Sequence, residues 1–490
     1  MLKVQEKTAL TVSFHTLGCK VNQYETQAMK ECFEESGFVC LDFGQPVDVC
    51  VVNTCAVTSE SERQSRYALR RAYRSGNGKP PLVVAVGCAV EKNPEKIYLL
   101  PGIRMAIGTK GRAEICRRLS GLNAGGNNRE SAVDNKTAKT TGLPVDEAAR
   151  KNGARLSAKP REAAQSVSNT TASAVDIYFE KFEEMPISRF DGHSRAFLKI
   201  QDGCDNACAY CCVSGLRGPG RSRAPENILA EAKRLARAGY QEIVLTGVNL
   251  GSYGRDSCVP LNGVIKNLLK VEGFRIRMSS LEPETVSSEL LELMAGSKRI
   301  CRHLHIPLQS GDGQILKLMN RHFSLENFRK LVSAARNSMP DIGVTTDVMV
   351  GFPGETEKHF ENTLEFVREM CFSKIHVFRY SKRQGTPAAE MKQVPGEISM
   401  HRSNILRSVA GELSQQFCRK FIGKTMDVLV EKNSRRHLST GTNTSGLICG
   451  LSDNYLRIFF RGNDELSGKI IPVKVMDLFG TVLAGRQENL

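Results

Sequence analysis

Residues 201 to 212 read Gln201-Asp202-Gly203-Cys204-Asp205-Asn206-Ala207-Cys208-Ala209-Tyr210-Cys211-Cys212, directly after an apolar stretch at 196–200 that has the character of a strand. A C-x3-C-x2-C triplet on a loop gathers three thiolates around one centre, and soft thiolates select iron–sulfur clusters or zinc over hard cations. On an iron–sulfur cube, three ligands leave one iron open to an outside chelator. Zinc would need a fourth ligand, Cys212 or a distant His, and no second C-x2-C or nearby His completes the usual knuckle. Whatever fold the chain adopts must present this loop at a strand end.

The surrounding pattern supplies such a fold. From 176 to about 383, apolar strand candidates at 196–200, 242–246, 275–278, 303–307, 343–350 and 374–379 alternate with helical stretches. Six such units predict a parallel sheet curved into a partial (β/α)6 barrel, an architecture that binds ligands at the C-terminal strand ends. Ahead of it, residues 10–120 carry strand candidates at 11–14, 47–52, 82–86 and 105–107, with helices at 22–35 and 59–73. Apolar strands separated by helices predict a mostly parallel sheet covered on both faces. Residues 119–174 are polar and small, and read as a linker or insertion. A helical connector at 399–419 leads to short strands at 426–430, 446–449, 455–460 and 474–478, the pattern of a small antiparallel barrel. The expectation is an α/β protein divided at 1–120, 121–175, 176–415 and 416–485.

Charge and cysteine content narrow the function. Lys plus Arg number 68 against 52 Asp plus Glu, a net +16 that favours a polyanionic partner. No apolar run is long enough to cross a bilayer and the first nine residues lack a signal-peptide core, so no membrane and a cytoplasmic location are expected. The 16 cysteines are then expected as thiols or ligands instead of disulfides. Cys32, Cys40, Cys371 and Cys418 lie in apolar or helical surroundings and read as buried thiols.

A second set is dispersed. Cys19, Cys55 and Cys88 each follow a predicted strand, within Leu17-Gly18-Cys19-Lys20, Asn53-Thr54-Cys55 and Val86-Gly87-Cys88. Successive strand ends of a parallel sheet line one edge, so these cysteines can converge. From the residues alone, a second cluster and partly buried structural thiols both remain open.

The loop from Cys204 to Cys211 resembles the cluster loop of the radical S-adenosylmethionine superfamily. The resemblance implies a [4Fe–4S] cluster on Cys204, Cys208 and Cys211, with S-adenosylmethionine chelating the open iron through its amino and carboxylate groups. One electron from that cluster would cleave the sulfonium bond to give an adenosyl radical. It further implies cofactor contacts at Tyr210, at Thr246, Gly247 and Asn249, at Ser280, at Gln309, and at Gly351 and Gly354. Read as residues alone, several of these are equally loop caps, turns or packing positions.

Taken with the dispersed cysteines, nearly the whole chain outside the linker is similar to methylthiotransferases. That family implies an auxiliary [4Fe–4S] cluster on Cys19, Cys55 and Cys88 that carries the transferred sulfur, and a C-terminal TRAM domain for RNA. One S-adenosylmethionine would give a methyl group and another the radical that removes hydrogen from C2 of an adenine. No catalytic side chain is expected beyond the cluster ligands. Gly18-Cys19-Lys20-Val21-Asn22-Gln23-Tyr24, Thr246-Gly247-Val248-Asn249-Leu250-Gly251 and Phe378-Arg379-Tyr380-Ser381-Lys382-Arg383 resemble the bacterial type acting on threonylcarbamoyladenosine. The implied partners are a tRNA anticodon stem-loop, bound by basic residues of the TRAM segment and by Arg217, Arg221 and Arg223, and a flavodoxin or ferredoxin as reductant. Isopentenyladenosine in tRNA is the rival substrate, a ribosomal-protein aspartate a weaker one, and a zinc-bearing RNA-binding protein the rival of a different class. The family's Ile-Ile-Pro after the triad is here Cys212-Val213-Ser214, which leaves Cys212 without an assigned role.

Overall fold

The two central strands of the N-terminal block, around Val51 and Val84, are Val-rich runs buried on both faces, and such strands pair in parallel under flanking helices. In the computed structural model, which describes residues 9–76, 80–120, 181–432 and 446–488, this block has β1 (Thr11–Thr16), β2 (Val39–Leu41), β3 (Val49–Thr54), β4 (Leu82–Gly87) and β5 (Ile103–Ile107). Their order is β2-β1-β3-β4-β5, with every pair parallel. The strands ending in Cys19, Cys55 and Cys88 are therefore neighbours. The short β2 was not expected from the sequence, because three residues give too little periodicity to register. Helix α1 (Lys20–Glu35) starts directly at Cys19, and that N-cap makes no side-chain capping bond. By contrast, Thr58 caps α2 (Ser59–Arg74) in the usual way.

All six strands expected for the central barrel form: β6 (Ala196–Lys199), β7 (Glu242–Thr246), β8 (Arg275–Met278), β9 (His303–His305), β10 (Gly343–Val350) and β11 (Lys374–Arg379). They make two parallel three-stranded sheets, β8-β7-β6 and β9-β10-β11. Parallel bridges Ile276↔Ile300 and Ser280↔His305 join them along β8 and β9. The result is a partial (β/α)6 barrel. Helix α3 (Gly396–Arg419) then leads into β12 (Thr425–Val430), β13 (Leu447–Ser452), β14 (Arg457–Arg461), β15 (Ile470–Phe479) and β16 (Val482–Gln487). These close as β12-β13-β14-β16-β15 around a core that includes Val428, Ile458, Phe460 and Val473. Four seams are antiparallel and one, β14 with β16, is parallel. The interruption at 121–175 lies outside the described residues.

Two sets of buried charges join these pieces, all within residues 1–116 and 182–490, which make one unit. The first surrounds Glu25 of α1. Arg217 donates to Glu25 Oε1 at 2.9 Å, to Asp202 Oδ1 at 2.9 Å and to Asn22 Oδ1 at 2.8 Å. Lys199 Nζ donates to Glu25 Oε1 at 2.8 Å and to Asp202 Oδ2 at 2.6 Å, and Arg112 pairs with Glu25 as well. Burial alone would push the Glu25 carboxyl up, but Arg112, Arg217 and Lys199 outweigh it and hold it at about 2. The second set lies at the barrel floor. Glu242 holds Arg275 and Arg277, which donate to the backbone carbonyls of Leu451, Asp427, Ser452 and Asp453 at 2.9–3.1 Å. Gly343 admits this turn, since a Cβ there would lie 2.2 Å from the Asn454 carbonyl oxygen.

Removing one member of a buried ion network leaves the others uncompensated, so Glu25→Ala is expected to cost about 3–5 kcal/mol, read from the urea unfolding midpoint. The folded carboxyl at about 2 compares with 4.5 for a free glutamate, so it binds fewer protons than its unfolded counterpart between those values. Its contribution is therefore complete above about pH 5 and fades as the pH falls toward 2 in wild type, and the pH dependence flattens in the variant.

Candidate functional site

The cysteine loop leaves β6 through a two-residue antiparallel clip, Gln201–Asp202 with Arg221–Ser222. Gly203, at φ +74, crosses so close to the Pro219 carbonyl that a Cβ would fall 1.9 Å from its oxygen. The far side is held by the turn after the helix Gly313–Leu318. Ala209 N–H donates to the Met319 carbonyl at 2.9 Å, and Asn320 Nδ2 donates to the Ala207 carbonyl at 2.7 Å.

Each of the three sulfurs faces an N–H donor. Asn249 Nδ2 lies 3.8 Å from Cys204 Sγ, Arg321 Nη1 3.6 Å from Cys208 Sγ, and the Val213 backbone N–H 3.4 Å from Cys211 Sγ. Such donors stabilise negative sulfur and tune cluster potentials. Desolvation pushes the Cys204 thiol up and Cys211 to about 12, so these two thiols stay neutral until a cationic centre deprotonates them. Arg321, held by Glu282, is a member of this site that sequence reading missed. It follows a helix with no motif of its own, and only the fold brings it to Cys208.

Beside the loop is a cavity of about 330 Å³ whose walls include Asp205, Cys208, Asn249, Glu282, Asn320 and Arg321. That volume is within the range of small-molecule pockets. Asn249 Oδ1 is buried with no hydrogen-bond partner among the described residues, and an orphaned acceptor there suits a ligand ammonium. Its N–H is fixed by Gln201 Oε1 at 2.8 Å, and Gly247 leaves room for that same side chain.

The other expected contacts divide. Thr246 ends β7, buried, its hydroxyl donating to the Val244 carbonyl at 3.2 Å. Ser280 and Gln309 sit at the ends of β8 and β9, and Gln309 adopts φ +67 while bridging to Val348. Gly351, φ +72, and Gly354, φ +88, occupy left-handed positions; a Cβ on Gly351 would meet Ser399 Cβ at 2.4 Å, so packing against α3 accounts for its lack of a side chain. Tyr210 packs with Ala209, Ile315, Met319 and Phe352.

The dispersed cysteines converge on one edge of the N-terminal sheet. At Gly18, φ +97, a Cβ would stand 2.8 Å from Cys55 Sγ. At Gly87, φ +96, it would stand 2.6 Å from Asn53 Oδ1 and 2.7 Å from the Thr54 carbonyl oxygen. Ser65 Oγ accepts the Cys55 N–H at 3.0 Å and returns a bond to its carbonyl. Burial pushes the Cys88 thiol up to about 11, with the charges of Cys19 and Cys55 adding to it. Cys212 packs against Ala56, Cys88 and Ala89, so it fills the contact between the two cysteine regions.

Arg217, Arg221 and Arg223, expected to contact RNA, do not face solvent. Arg217 serves Glu25 and Asp202, Arg221 approaches Asp202 at 3.8 Å, and Arg223 pairs with Glu231 and Glu184 at 2.8 Å. Buried acids claim them. Of the basic residues expected on the C-terminal barrel, Lys424 pairs with Asp341 and Arg457 with Glu431. Arg461 and Lys469 are exposed, and Arg435, Arg436 and His437 lie outside the described residues.

Comparisons with known proteins agree with this construction. The model of the radical SAM superfamily matches residues 198–367, and that of uncharacterized protein family UPF0004 matches 11–108. The threonylcarbamoyladenosine tRNA methylthiotransferase MtaB of Bacillus subtilis is 36% identical over 95% of this chain and 94% of its own. Its namesake from Thermotoga maritima is 33% identical over 92% of each. The tRNA-2-methylthio-N(6)-dimethylallyladenosine synthase of Clostridium novyi is 32% identical over 94% of this chain and 92% of its own. Among solved structures, the radical S-adenosylmethionine methyltransferase TsrM from Kitasatospora setae superposes with a TM-score of 0.52 at 14% identity, covering 78% of this chain and 75% of that one, a likeness of fold.

Gly87→Ala forces a side chain onto a carbonyl at a left-handed position and should cost about 1–3 kcal/mol. Iron per chain after anaerobic reconstitution should fall with it, while the Cys204 loop retains its share.

Proposed function

The chain belongs to the radical S-adenosylmethionine methylthiotransferase family, and we propose that it converts N6-threonylcarbamoyladenosine at position 37 of tRNA to the 2-methylthio derivative. The observation that carries this reading is the pairing of two cysteine trios, one on the barrel loop and one on the adjacent sheet edge, in a chain similar over nearly its full length to enzymes named for that reaction. The threonylcarbamoyl form is favoured over the isopentenyl form by the flanking motifs around Cys19, Asn249 and Tyr380 and by the relatives from Bacillus and Thermotoga. The division at 1–120, 121–175, 176–415 and 416–485 belongs to the same proposal.

Cys204, Cys208 and Cys211 would hold one [4Fe–4S] cluster, and Cys19, Cys55 and Cys88 a second. With S-adenosylmethionine bound, these groups supply one-electron sulfonium cleavage, a methyl group and the sulfur to be inserted. The chain's own residues bind and orient. Asn249 Oδ1 offers an open acceptor to the cofactor's ammonium, and Thr246, Gly247, Ser280, Gln309, Gly351, Gly354 and Tyr210 would complete its surroundings. Asn249, Arg321 and the Val213 N–H keep donors on the three sulfurs. The Glu25 network ties helix α1, which begins at Cys19, to the barrel segment around the cysteine loop, and both trios would address one substrate atom. Exposed Arg461 and Lys469 would meet the phosphates of the anticodon stem-loop. A low-potential flavodoxin or ferredoxin would deliver the electron.

Cys208→Ala should abolish reductive cleavage of S-adenosylmethionine, followed as 5′-deoxyadenosine by chromatography. Cys55→Ala should retain cleavage yet give no methylthiolated nucleoside by mass spectrometry; product from either variant would contradict the division of labour. In cells lacking the gene, loss of a methylthio-isopentenyl nucleoside with the threonylcarbamoyl species unchanged would reassign the substrate.

A further inference from the structure

Helix α2 shows two faces of opposite character. Ser65, Ala68, Leu69 and Ala72 are buried, the last three in the core they share with β3 and β4. The side away from the sheet exposes Arg63, Arg66, Tyr67, Arg70, Arg71 and Arg74. All five cations of the helix are arginines, and Tyr67 leaves 64% of its surface to solvent in their midst.

Two of the five are engaged within the protein. Arg63 donates to both carboxylate oxygens of Glu60 at 2.6 and 2.8 Å, and the Arg71 guanidinium lies over the Phe43 ring at 5.1 Å. Arg66, Arg70 and Arg74 have no acidic partner among the described residues. Residues four apart lie on one side of a helix, about 6 Å apart along its axis, a spacing comparable with that of successive phosphates on a nucleic-acid strand. Like charges at that spacing repel. The helix dipole offsets the repulsion for Arg74 in the last turn but not for Arg66, two turns earlier.

The row starts beside the site. Helix α2 begins four residues after Cys55, at the end of β3. Ser59 Oγ shares a hydrogen bond of 2.9 Å with Ser381 Oγ, two residues beyond the C-terminal end of β11, and Arg383 approaches Glu62 at 3.7 Å. The first turn of α2 is thereby fixed where the cysteine edge of the sheet meets the ligand-binding end of the barrel, and the arginines lead away from that junction. Exposed Lys382, next to Ser381, adds a further cation there. An acidic protein would also be attracted by such a face. Arginine in place of lysine, regular spacing and an exposed aromatic ring favour nucleic acid, because guanidinium forks match phosphate oxygens and aromatic rings stack on bases.

We propose that Arg66, Arg70 and Arg74 bind successive phosphates of the tRNA strand that leads to the target nucleotide, with Tyr67 against a sugar or an unpaired base, so that the sheet block carries an RNA surface of its own besides the C-terminal barrel. The inference rests on tRNA as the substrate and holds for either N6 group.

The test follows binding of a fluorescent anticodon stem-loop RNA to full-length, cluster-loaded protein by anisotropy over a series of salt concentrations. Replacing all three residues by Gln (R66Q, R70Q and R74Q together) should weaken binding at least about tenfold and make the slope of log Kd against log salt shallower by about 2–3. Lys at all three positions should restore most of that slope. Removing the same charge from exposed positions of the central barrel, with K298Q, K330Q and K358Q together, should leave the affinity within about twofold. Iron and sulfide per chain and the circular dichroism spectrum check that each variant is folded and loaded. Unchanged affinity and slope in the triple arginine variant overturn the proposal, as does an equal loss in the lysine control, which would mark net charge alone. Full RNA affinity combined with lost electron transfer from reduced flavodoxin also overturns it and assigns the row to an acidic protein. A wild type that binds no stem-loop RNA sinks the tRNA reading together with this one, whereas a wild type that binds while the triple variant is unaffected sinks this one alone. Methylthiolation of threonylcarbamoyl RNA, measured separately, tests the substrate assignment itself.

Discussion

Everything else in the molecule depends on a charge cluster that has no contact with solvent. Glu25 and Asp202 bring together Arg112, Lys199 and Arg217 from the turn after β5, a barrel strand and the segment after the cysteine loop. Burying five ionised groups is costly, and a purely apolar joint of similar size would often be as stable. What the charges add is direction. Carboxylates and guanidinium groups bond only along defined lines, so the sheet edge carrying Cys19, Cys55 and Cys88 meets the barrel in one register. Grease would permit sliding.

The same logic explains the arginines after the cysteine loop. Arg217 and Arg223 lie in a basic stretch and invite a reading as phosphate contacts. Their partners, Glu25 and Glu231, come from positions 192 and 8 residues away, and only the fold shows that acids already occupy them. In a chain with net +16, cations are plentiful, and position in the fold decides which remain for a polyanion.

Much of the architecture was legible because it rests on local signals. Each of the six barrel strands carries β-branched or other apolar residues between polar loops, and the cysteine trios sit where a strand pattern stops. What escaped notice lacked such signals. Strand β2 is too short, β16 follows a two-residue turn at Gly480 and Thr481, and the parallel seam between β14 and β16 follows from closure instead of any motif. Of the site, the cysteines were readable from spacing and resemblance. Arg321 was not, since Cys208 lies 113 residues away along the chain and is its neighbour only in space. Gly351 shows the reverse: a motif glycine whose missing side chain is accounted for by Ser399.

The floor of the barrel has a further consequence for how such a chain can change over generations. Arg275 and Arg277 grip the C-terminal barrel by its main-chain carbonyls, at Asp427 and Leu451 through Asp453, and ignore the side chains there. Every residue type has that oxygen. Substitutions at those positions leave the carbonyls in place, so the C-terminal barrel is free to diversify its surface while staying mounted. The constraint falls on the other partner: Glu242, the two arginines and Gly343 form a socket that accepts almost any plug of the right backbone shape but tolerates little alteration of its own.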